Sequence, residues 1–261
     1  MRDAPTESTA VSASLFDLER AGGPWARRFA KRRGAVDDLP WDETREGTEE
    51  ARWVWTQSAF SETASAAAFA EIARALVAAG APIDLVAAAG EFVADEMVHA
   101  ELAARVAEAL GGLVPLEVNR EKLVRPPEGS TPLLRAAELV LRTSCVGEAL
   151  TVPILKSAKA NAGSELVERV LRRILEDESA HAELGWWFFE WASDRLSDDD
   201  RARLGRVAGA AIESFSPLMA GGCSADGLGA LGCATFDATF QAAKEKRVIA
   251  PLAKLGILVE A

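Results

Sequence analysis

The sequence predicts an all-α protein. Ala, Leu, Glu and Arg, which favour helices, are abundant, whereas runs of β-branched and aromatic residues are sparse and tyrosine is absent. Long stretches with helical periodicity are separated by segments rich in Gly and Pro. The 261 residues are enough for one sizeable core with appendages.

Four long helices are expected within residues 51–195. The first ends before Gly80, and the second runs from Pro82 to about Leu110. The third begins after the Ser-Thr-Pro sequence at 130–132, and the fourth opens at Ser164. Short turns make each pair an antiparallel hairpin. The connection between the pairs, residues 112–130, is long enough to cross the whole length of a bundle.

Two further regions flank this predicted bundle. Residues 1–50 lack sustained periodicity and are expected to form a partly irregular N-terminal arm, whose basic stretch at 27–33 is interpreted as solvated. Residues 196–261 are expected to form a C-terminal helical extension with a Gly-rich segment at 220–232 that could act as a lid. Helices are predicted from Ser197 to about Phe215 and over about 234–254.

The charge and the cysteines constrain partners and location. A net charge of −11 disfavours binding to nucleic acid, and no signal peptide or membrane span is evident. Cys223 and Cys233 could pair, but unpaired loop cysteines are the favoured interpretation. We therefore expect a cytoplasmic protein without a membrane partner.

The chemistry is concentrated around the two histidines of the chain. His99 ends the sequence Asp95-Glu96-Met97-Val98-His99, and His181 ends Asp177-Glu178-Ser179-Ala180-His181. A repeated Asp-Glu-x-x-His pattern on two predicted helices is rare by chance. Residues three apart share a helix face, so each Glu and His can reach one inward point. Carboxylate oxygen with imidazole nitrogen suits iron or manganese, and also zinc.

Two more ligands are predicted from height along the hairpins. Glu62 precedes the first turn by about as many residues as Glu96 and His99 follow it, whereas Glu71 lies too close to the turn. Glu148 precedes the second turn by about as many residues as Glu178 follows it, whereas Glu138 lies too far from that turn. Glu148 also lies in an apolar stretch, where a lone carboxylate is costly.

A proline interrupts the third predicted helix five residues after Glu148. Pro153 cannot donate a backbone hydrogen bond, so we expect a kink or bulge there. Together with Gly147, such a bulge leaves room beside the ligand.

The pattern Glu62, Glu96-x-x-His99, Glu148, Glu178-x-x-His181 resembles the ferritin-like di-iron carboxylate superfamily. The resemblance covers about residues 55–195 and implies a four-helix bundle with a long crossover between its second and third helices. It also implies that Asp95 and Asp177 hydrogen-bond the ligand histidines, as in bacterial multicomponent monooxygenases and ribonucleotide reductase small subunits.

Three departures separate the chain from particular branches of that superfamily. The radical tyrosine of ribonucleotide reductase cannot exist in a chain without Tyr. Ile174 stands where aryl-amine N-oxygenases carry a third histidine. The Cys-rich module of rubrerythrin-type proteins is missing from the sequence.

The resemblance implies a non-haem oxidase or oxygenase. Two metal ions, iron before manganese, would activate O2 as co-substrate and oxidise an unidentified small organic molecule. An external electron donor is expected because no flavin or iron–sulfur motif is visible, and a homodimer is possible. The alternatives are a ferritin-type iron-binding or storage protein and a di-manganese catalase-like or peroxidase-like protein.

Overall fold

The structure is a computed structural model that describes residues 22–43, 46–116, 118–220, 223 and 225–260. Every regular element in these ranges is helical, and none of the residues described is in a β-strand. The all-α prediction is therefore confirmed for the described part of the chain. Residues 1–21 of the predicted N-terminal arm lie outside the described residues, as does part of the Gly-rich segment.

The α-helices follow one another in this order: α1 (Gly23–Arg33), α2 (Glu49–Ala79), α3 (Ile83–Ala109), α4 (Pro132–Val140), α5 (Ala149–Ala160), α6 (Glu165–Ala192), α7 (Asp198–Ala220), α8 (Cys233–Ala243) and α9 (Ala250–Lys254). Two π-helical segments, Leu141–Glu148 and Lys244–Ile249, join α4 to α5 and α8 to α9. Short 3-10 turns occur at Val36–Asp38, Arg120–Lys122 and Ser193–Arg195.

Capping residues set the helix starts where the sequence predicts them. The side chains of Thr48, Thr131 and Ser164 each accept a hydrogen bond from the backbone N–H three residues later. Before α7, Ser197 Oγ accepts from the Asp200 N–H, and the Asp200 carboxylate accepts from the Ser197 N–H. The predicted bounds of the long helices agree with the observed ones to within about three residues.

The third predicted helix is divided by its π-helical segment. The Ala149 N–H donates to Ser144 O, five residues back, instead of to the residue four back. Pro153, which follows, lacks the N–H that would continue the regular ladder to Ala149 O. The predicted bulge is thus present. It covers Leu141–Glu148, so Glu148 is the last residue of a widened turn.

Four helical rods pack around the candidate site. Helix α2 packs along α3 and against α4, while α6 packs against α3, α5 and the π-helical segment Leu141–Glu148. Apolar side chains at the contacts are fully buried, including Phe69, Leu102, Leu150 and Leu184. The same continuous core extends to Ile257 near the C-terminus. Burial of this apolar surface is the main force that holds the rods together.

The basic stretch at residues 27–33 is solvated at four of its five basic residues, as the sequence predicts, and Arg33 is the exception. The stretch belongs to α1, which packs on α3. Arg33 is only 2% exposed and pairs with Glu101 through Nη2 and Oε1, 2.6 Å apart. Arg32 binds Asp95 through two nitrogens. The solvated interpretation is wrong at Arg33, which is buried against Glu101, whereas Arg32 stays exposed while its guanidinium binds the buried carboxylate of Asp95.

Close backbone contacts position the C-terminal part of the chain. A Cβ atom at Gly205 or Gly209 would overlap the carbonyl oxygen of Leu258 or Glu260, so α7 can carry the C-terminal segment only with glycine at these positions. The Trp55 indole N–H donates to Leu228 O at 2.6 Å, which ties the described part of the Gly-rich segment to α2. This contact makes that part a packed element instead of a free lid.

Cys223 and Cys233 form a disulfide across the Gly-rich segment, contrary to the unpaired interpretation. The loop between them folds back because it is tied to the bundle by Trp55 and by the Gly163 N–H, which donates to Gly227 O at 2.8 Å. Disulfides are more typical of oxidising compartments than of the reducing cytoplasm. Within the described ranges, no helix is both long enough and apolar enough to cross a lipid bilayer.

Candidate metal centre

The two Asp-Glu-x-x-His motifs meet in the core. Glu96 and His99 are on α3, Glu178 and His181 are on α6, and all four side chains are at most 1% exposed. Each contributes one potential ligand atom, and these atoms lie within 4.8 Å of one another. The structure therefore contains a buried group that can bind a metal ion, inside an all-helical protein.

Each glutamate of this group faces both histidines. Glu96 Oε1 lies 3.0 Å from His181 Nδ1, and Glu96 Oε2 lies 3.7 Å from His99 Nδ1. Glu178 Oε1 lies 3.1 Å from His99 Nδ1, and Glu178 Oε2 lies 3.4 Å from His181 Nδ1. The imidazole rings stand 5.8 Å apart between centroids. Each carboxylate therefore lies within reach of a cation bound at either imidazole.

Glu62 and Glu148 lie beside this group but are not part of it. Glu148 ends the π-helical segment, is 5% exposed, and accepts a hydrogen bond from Ser65 Oγ at 3.4 Å. Glu62 is half-buried on α2. Burial raises the pKa of both carboxyls well above the ordinary value, and the charges of Glu96 and Glu178 raise them further. All six predicted ligands are thus electrostatically coupled around one centre.

The histidines hold protons tightly in the absence of metal. Burial alone would lower the pKa of His99, but hydrogen bonding to Asp177 and to the two facing carboxylates outweighs it. Burial would also lower the pKa of His181, but its interactions with Asp95, Glu178 and Glu96 outweigh burial and raise this pKa to about 12. For Glu178, burial opposes and the two imidazoles favour ionisation, so its pKa is lowered.

An aspartate lies behind each histidine, and the partners are crossed between the motifs. Asp177 Oδ2 of the second motif is 3.2 Å from His99 Nε2 of the first. Asp95 Oδ2 of the first motif is 3.6 Å from His181 Nε2 of the second. This geometry favours an N–H at Nε2 and leaves Nδ1, which faces the glutamates, for a metal.

An arginine balances each of these aspartates. Arg32 of α1 binds Asp95, and Arg173 of α6 binds Asp177. Burial raises the pKa of both carboxyls, but the hydrogen bonds from histidine and arginine lower it more. Both aspartates are therefore ionised and already paired, so they add little uncompensated charge to the centre.

The residues present fit a pair of metal ions. The carboxylate oxygens of Glu96 and Glu178, Nδ1 of both histidines and Nε2 of His181 are buried and form no well-aligned hydrogen bond, although the facing atoms lie as close as 3.0 Å. Buried polar atoms in native proteins are almost always satisfied, so this cluster of poorly satisfied atoms calls for a ligand. Glu62, Glu96, Glu148 and Glu178 carry four negative charges when ionised, which two divalent cations neutralise.

Family models, curated proteins and solved structures return no match to this chain. The candidate centre therefore rests on its own geometry and chemistry.

Sequence reasoning missed several residues around the centre. Arg32 and Arg33 were assigned to a solvated arm, although both are tied to carboxylates of α3. Ser65 was not considered, although it lies three residues after Glu62 and bonds Glu148. Ser144, fully buried in the π-helical segment, has no hydrogen-bond partner for Oγ and was also overlooked. Only the helical spacing of Ser65 from Glu62 offered a signal beforehand.

Metal binding is expected to release protons and to stabilise the protein more at high pH. Glu62, Glu148, His99 and His181 all have raised pKa values in the folded, metal-free chain. A raised pKa stabilises the fold at low pH, and this stability is lost as pH rises from about 4.5 for carboxyls and about 6.5 for imidazoles. The lowered pKa of Glu178 has the opposite effect: it stabilises the fold above about pH 4.5, and this stability is lost as the pH falls below that value.

The measurement is the Tm gained on anaerobic Fe(II) loading, compared between about pH 5.5 and about pH 8. The gain should be larger at the higher pH, because the protons that the metal displaces from the ligand atoms are released more readily at a lower proton concentration. Taking the difference between loaded and metal-free protein cancels the pH dependence of the remaining surface charge. An equal gain at both pH values would contradict the expected competition between protons and metal.

Proposed function

We propose that this chain is a ferritin-like di-iron carboxylate protein that works as an O2-dependent oxidase or oxygenase on a small organic molecule. One observation carries the proposal: two glutamates and two histidines meet at one buried point, where four carboxylate oxygens and both Nδ1 atoms form no well-aligned hydrogen bond, and the carboxyls of Glu62 and Glu148 are coupled to this group. Two hairpins joined by the connection 112–130 are compatible with the bundle topology of that superfamily.

The roles of the residues follow from their positions. Glu96 and Glu178 each face both histidines, and these four residues would hold the metal ions. Glu62 and Glu148 would supply two further carboxylates. Asp95 and Asp177 hold the imidazoles with Nδ1 directed inward. When bound, a di-iron pair supplies the electrons and the binding position that reduce O2.

Glu148 is the ligand best placed to move. It ends a π-helical segment, where one backbone hydrogen bond per turn is displaced, and such segments are frequent at functional sites. The hydrogen bond that Glu148 accepts from Ser65 Oγ is long, at 3.4 Å. This mobility and the cavity described below favour an enzyme over an iron store.

The electron balance explains the proposed external donor. Reduction of O2 to water takes four electrons. Insertion of one oxygen atom into a C–H bond accounts for two of them, and the other atom leaves as water with two protons and two further electrons. The sequence shows no flavin or iron–sulfur motif, so a separate electron-donor protein is proposed as a partner. The reaction without such a donor would be a two-electron oxidation that yields peroxide.

The deciding experiment is anaerobic loading with Fe(II), desalting and elemental analysis, followed by measurement of O2 uptake. About two irons per chain and O2 consumption that depends on iron support the proposal. A chain that takes up no iron refutes the site. Assembly into a large cage that accumulates iron would favour storage, and turnover of H2O2 only by Mn(II)-loaded protein would favour the catalase-like alternative.

A further inference from the structure

A cavity of about 540 Å³ opens between α7 and the π-helical segment Leu141–Glu148. Its wall on the bundle side includes Val146 and Gly147, so it reaches the backbone one residue before Glu148. A side chain at Gly147 would crowd this wall, since its Cβ would lie 3.3 Å from Arg142 O. The volume is within the range of small-molecule sites.

The charge lining this cavity is opposite to that of the protein. Four arginines contribute to the wall, at positions 125, 142, 203 and 206, but only two glutamates, Glu128 and Glu138. The chain as a whole has a net charge of −11. A positively charged cavity on an acidic protein attracts anions and repels cations.

Three of the four arginines have a carboxylate partner. Arg203 binds Glu138, Arg125 lies 3.4 Å from Glu128, and Arg206 lies 3.6 Å from Glu260. Glu138, which is 2% exposed, also accepts hydrogen bonds from the backbone N–H groups of residues 128 and 129. Its charge is therefore fully used in holding the wall together.

Arg142 differs from these three. Its Nε donates to Glu138 O at 3.2 Å and its Nη2 to Arg125 O at 2.9 Å, so both acceptors are uncharged carbonyls. It forms no ion pair with a carboxylate among the described residues. Burial lowers the pKa of its guanidinium, and the nearby charges of Glu138 and Glu128 only partly oppose this effect. A planar anion would supply the missing charge.

Apart from Ser214, the remaining side chains of the wall are apolar. Val146, Val207, Ala211 and Phe215 line the cavity together with Pro126. A ligand complementary to this cavity would carry a carboxylate, which pairs with Arg142, and an apolar body, which packs against the apolar side chains of the wall. We propose that this cavity binds a small organic carboxylate with an apolar body, anchored by Arg142, and that this is the substrate class of the centre next to it. The second half of this inference rests on the proposed function, whereas the binding does not.

The test is calorimetric titration of the full chain, as purified and after Fe(II) loading, with 4-phenylbutyrate, its neutral analogue 4-phenylbutyramide, and inorganic phosphate. The carboxylate is expected to bind at least about tenfold more tightly than the amide, because a charge-assisted hydrogen bond is lost in the amide. Phosphate should bind weakly, since it has no apolar body. Equal binding of carboxylate and amide, or no binding of either, overturns the inference.

Variants locate the site. Arg142→Gln should weaken phenylbutyrate binding by about tenfold or more, and Arg142→Lys should restore part of it. Arg172→Gln, at an exposed arginine of α6 paired with Glu168, is the matched control and should bind as wild type. Ala210→Trp fills the exposed rim of the cavity without touching the charge and should block binding. Wild-type affinity in both Arg142→Gln and Ala210→Trp would exclude this cavity.

The binding experiment and the iron-loading experiment test the two proposals independently. Phenylbutyrate binding in a chain that takes up no iron would keep the anion site and reject the oxidase. Iron-dependent O2 uptake in a chain that binds no carboxylate would keep the oxidase and reject this substrate class.

Discussion

Glu178→Gln is expected to abolish binding of the metal pair, with a loss of affinity of at least about 100-fold. Glu178 presents one oxygen to each histidine, at 3.1 Å from His99 Nδ1 and 3.4 Å from His181 Nδ1. The amide has the same shape but no charge and only one acceptor oxygen. It therefore cannot bridge two cations, and it leaves the remaining carboxylates unable to neutralise them.

The measurement is iron per chain after anaerobic loading, which should fall from about two to one or fewer. Glu71→Gln is the matched control, because Glu71 lies on α2, pairs with Arg74 near the surface and was rejected as a ligand on its height. It should retain about two irons. Circular dichroism should show the same helicity for both variants. Retention of two irons by Glu178→Gln would remove Glu178, and with it the bridging geometry, from the site.

Much of the fold and of the centre could be predicted because it depends on local sequence. Thr131 and Ser164 signal helix starts, and turn position fixes which residues of a hairpin lie at the same height. Helical spacing alone then places Glu96 and His99 on one face. The position of the widened turn was predicted only approximately. Pro153 requires the ladder to be interrupted but does not say how many residues upstream absorb the change.

The rest depends on contacts between distant segments. Arg32 and Asp95 are far apart in the sequence, and nothing in the basic stretch indicates that two of its arginines would pair with carboxylates of α3. The disulfide between Cys223 and Cys233 likewise depends on a loop held by Trp55 of α2. The sequence shows that one segment is basic and the other Gly-rich. Which residues pair with these arginines and cysteines depends on tertiary packing, which local composition does not specify.

Gly185→Ala is expected to destabilise the protein by about 1–3 kcal/mol and to reduce metal binding as well. Gly185 is buried on α6, four residues after His181, and faces the π-helical segment that ends at Glu148. A Cβ there would overlap Cys145 Sγ and lie 3.2 Å from both Cys145 N and Ser144 Cβ. Relief requires the segment to move away from α6, which carries Glu148 away from the centre.

The matched control is Gly90→Ala on α3, where a Cβ would meet no atom within 4 Å. Removing an exposed helical glycine should stabilise the protein by about 0.5–1 kcal/mol, so the two substitutions have opposite signs. Urea unfolding and iron content measure both effects. Adding Cys145→Ala to Gly185→Ala removes the nearest overlapping atom and should restore part of the stability and of the metal. If Gly185→Ala instead behaves like Gly90→Ala, the close packing of α6 on the π-helical segment is not what holds Glu148 at the centre.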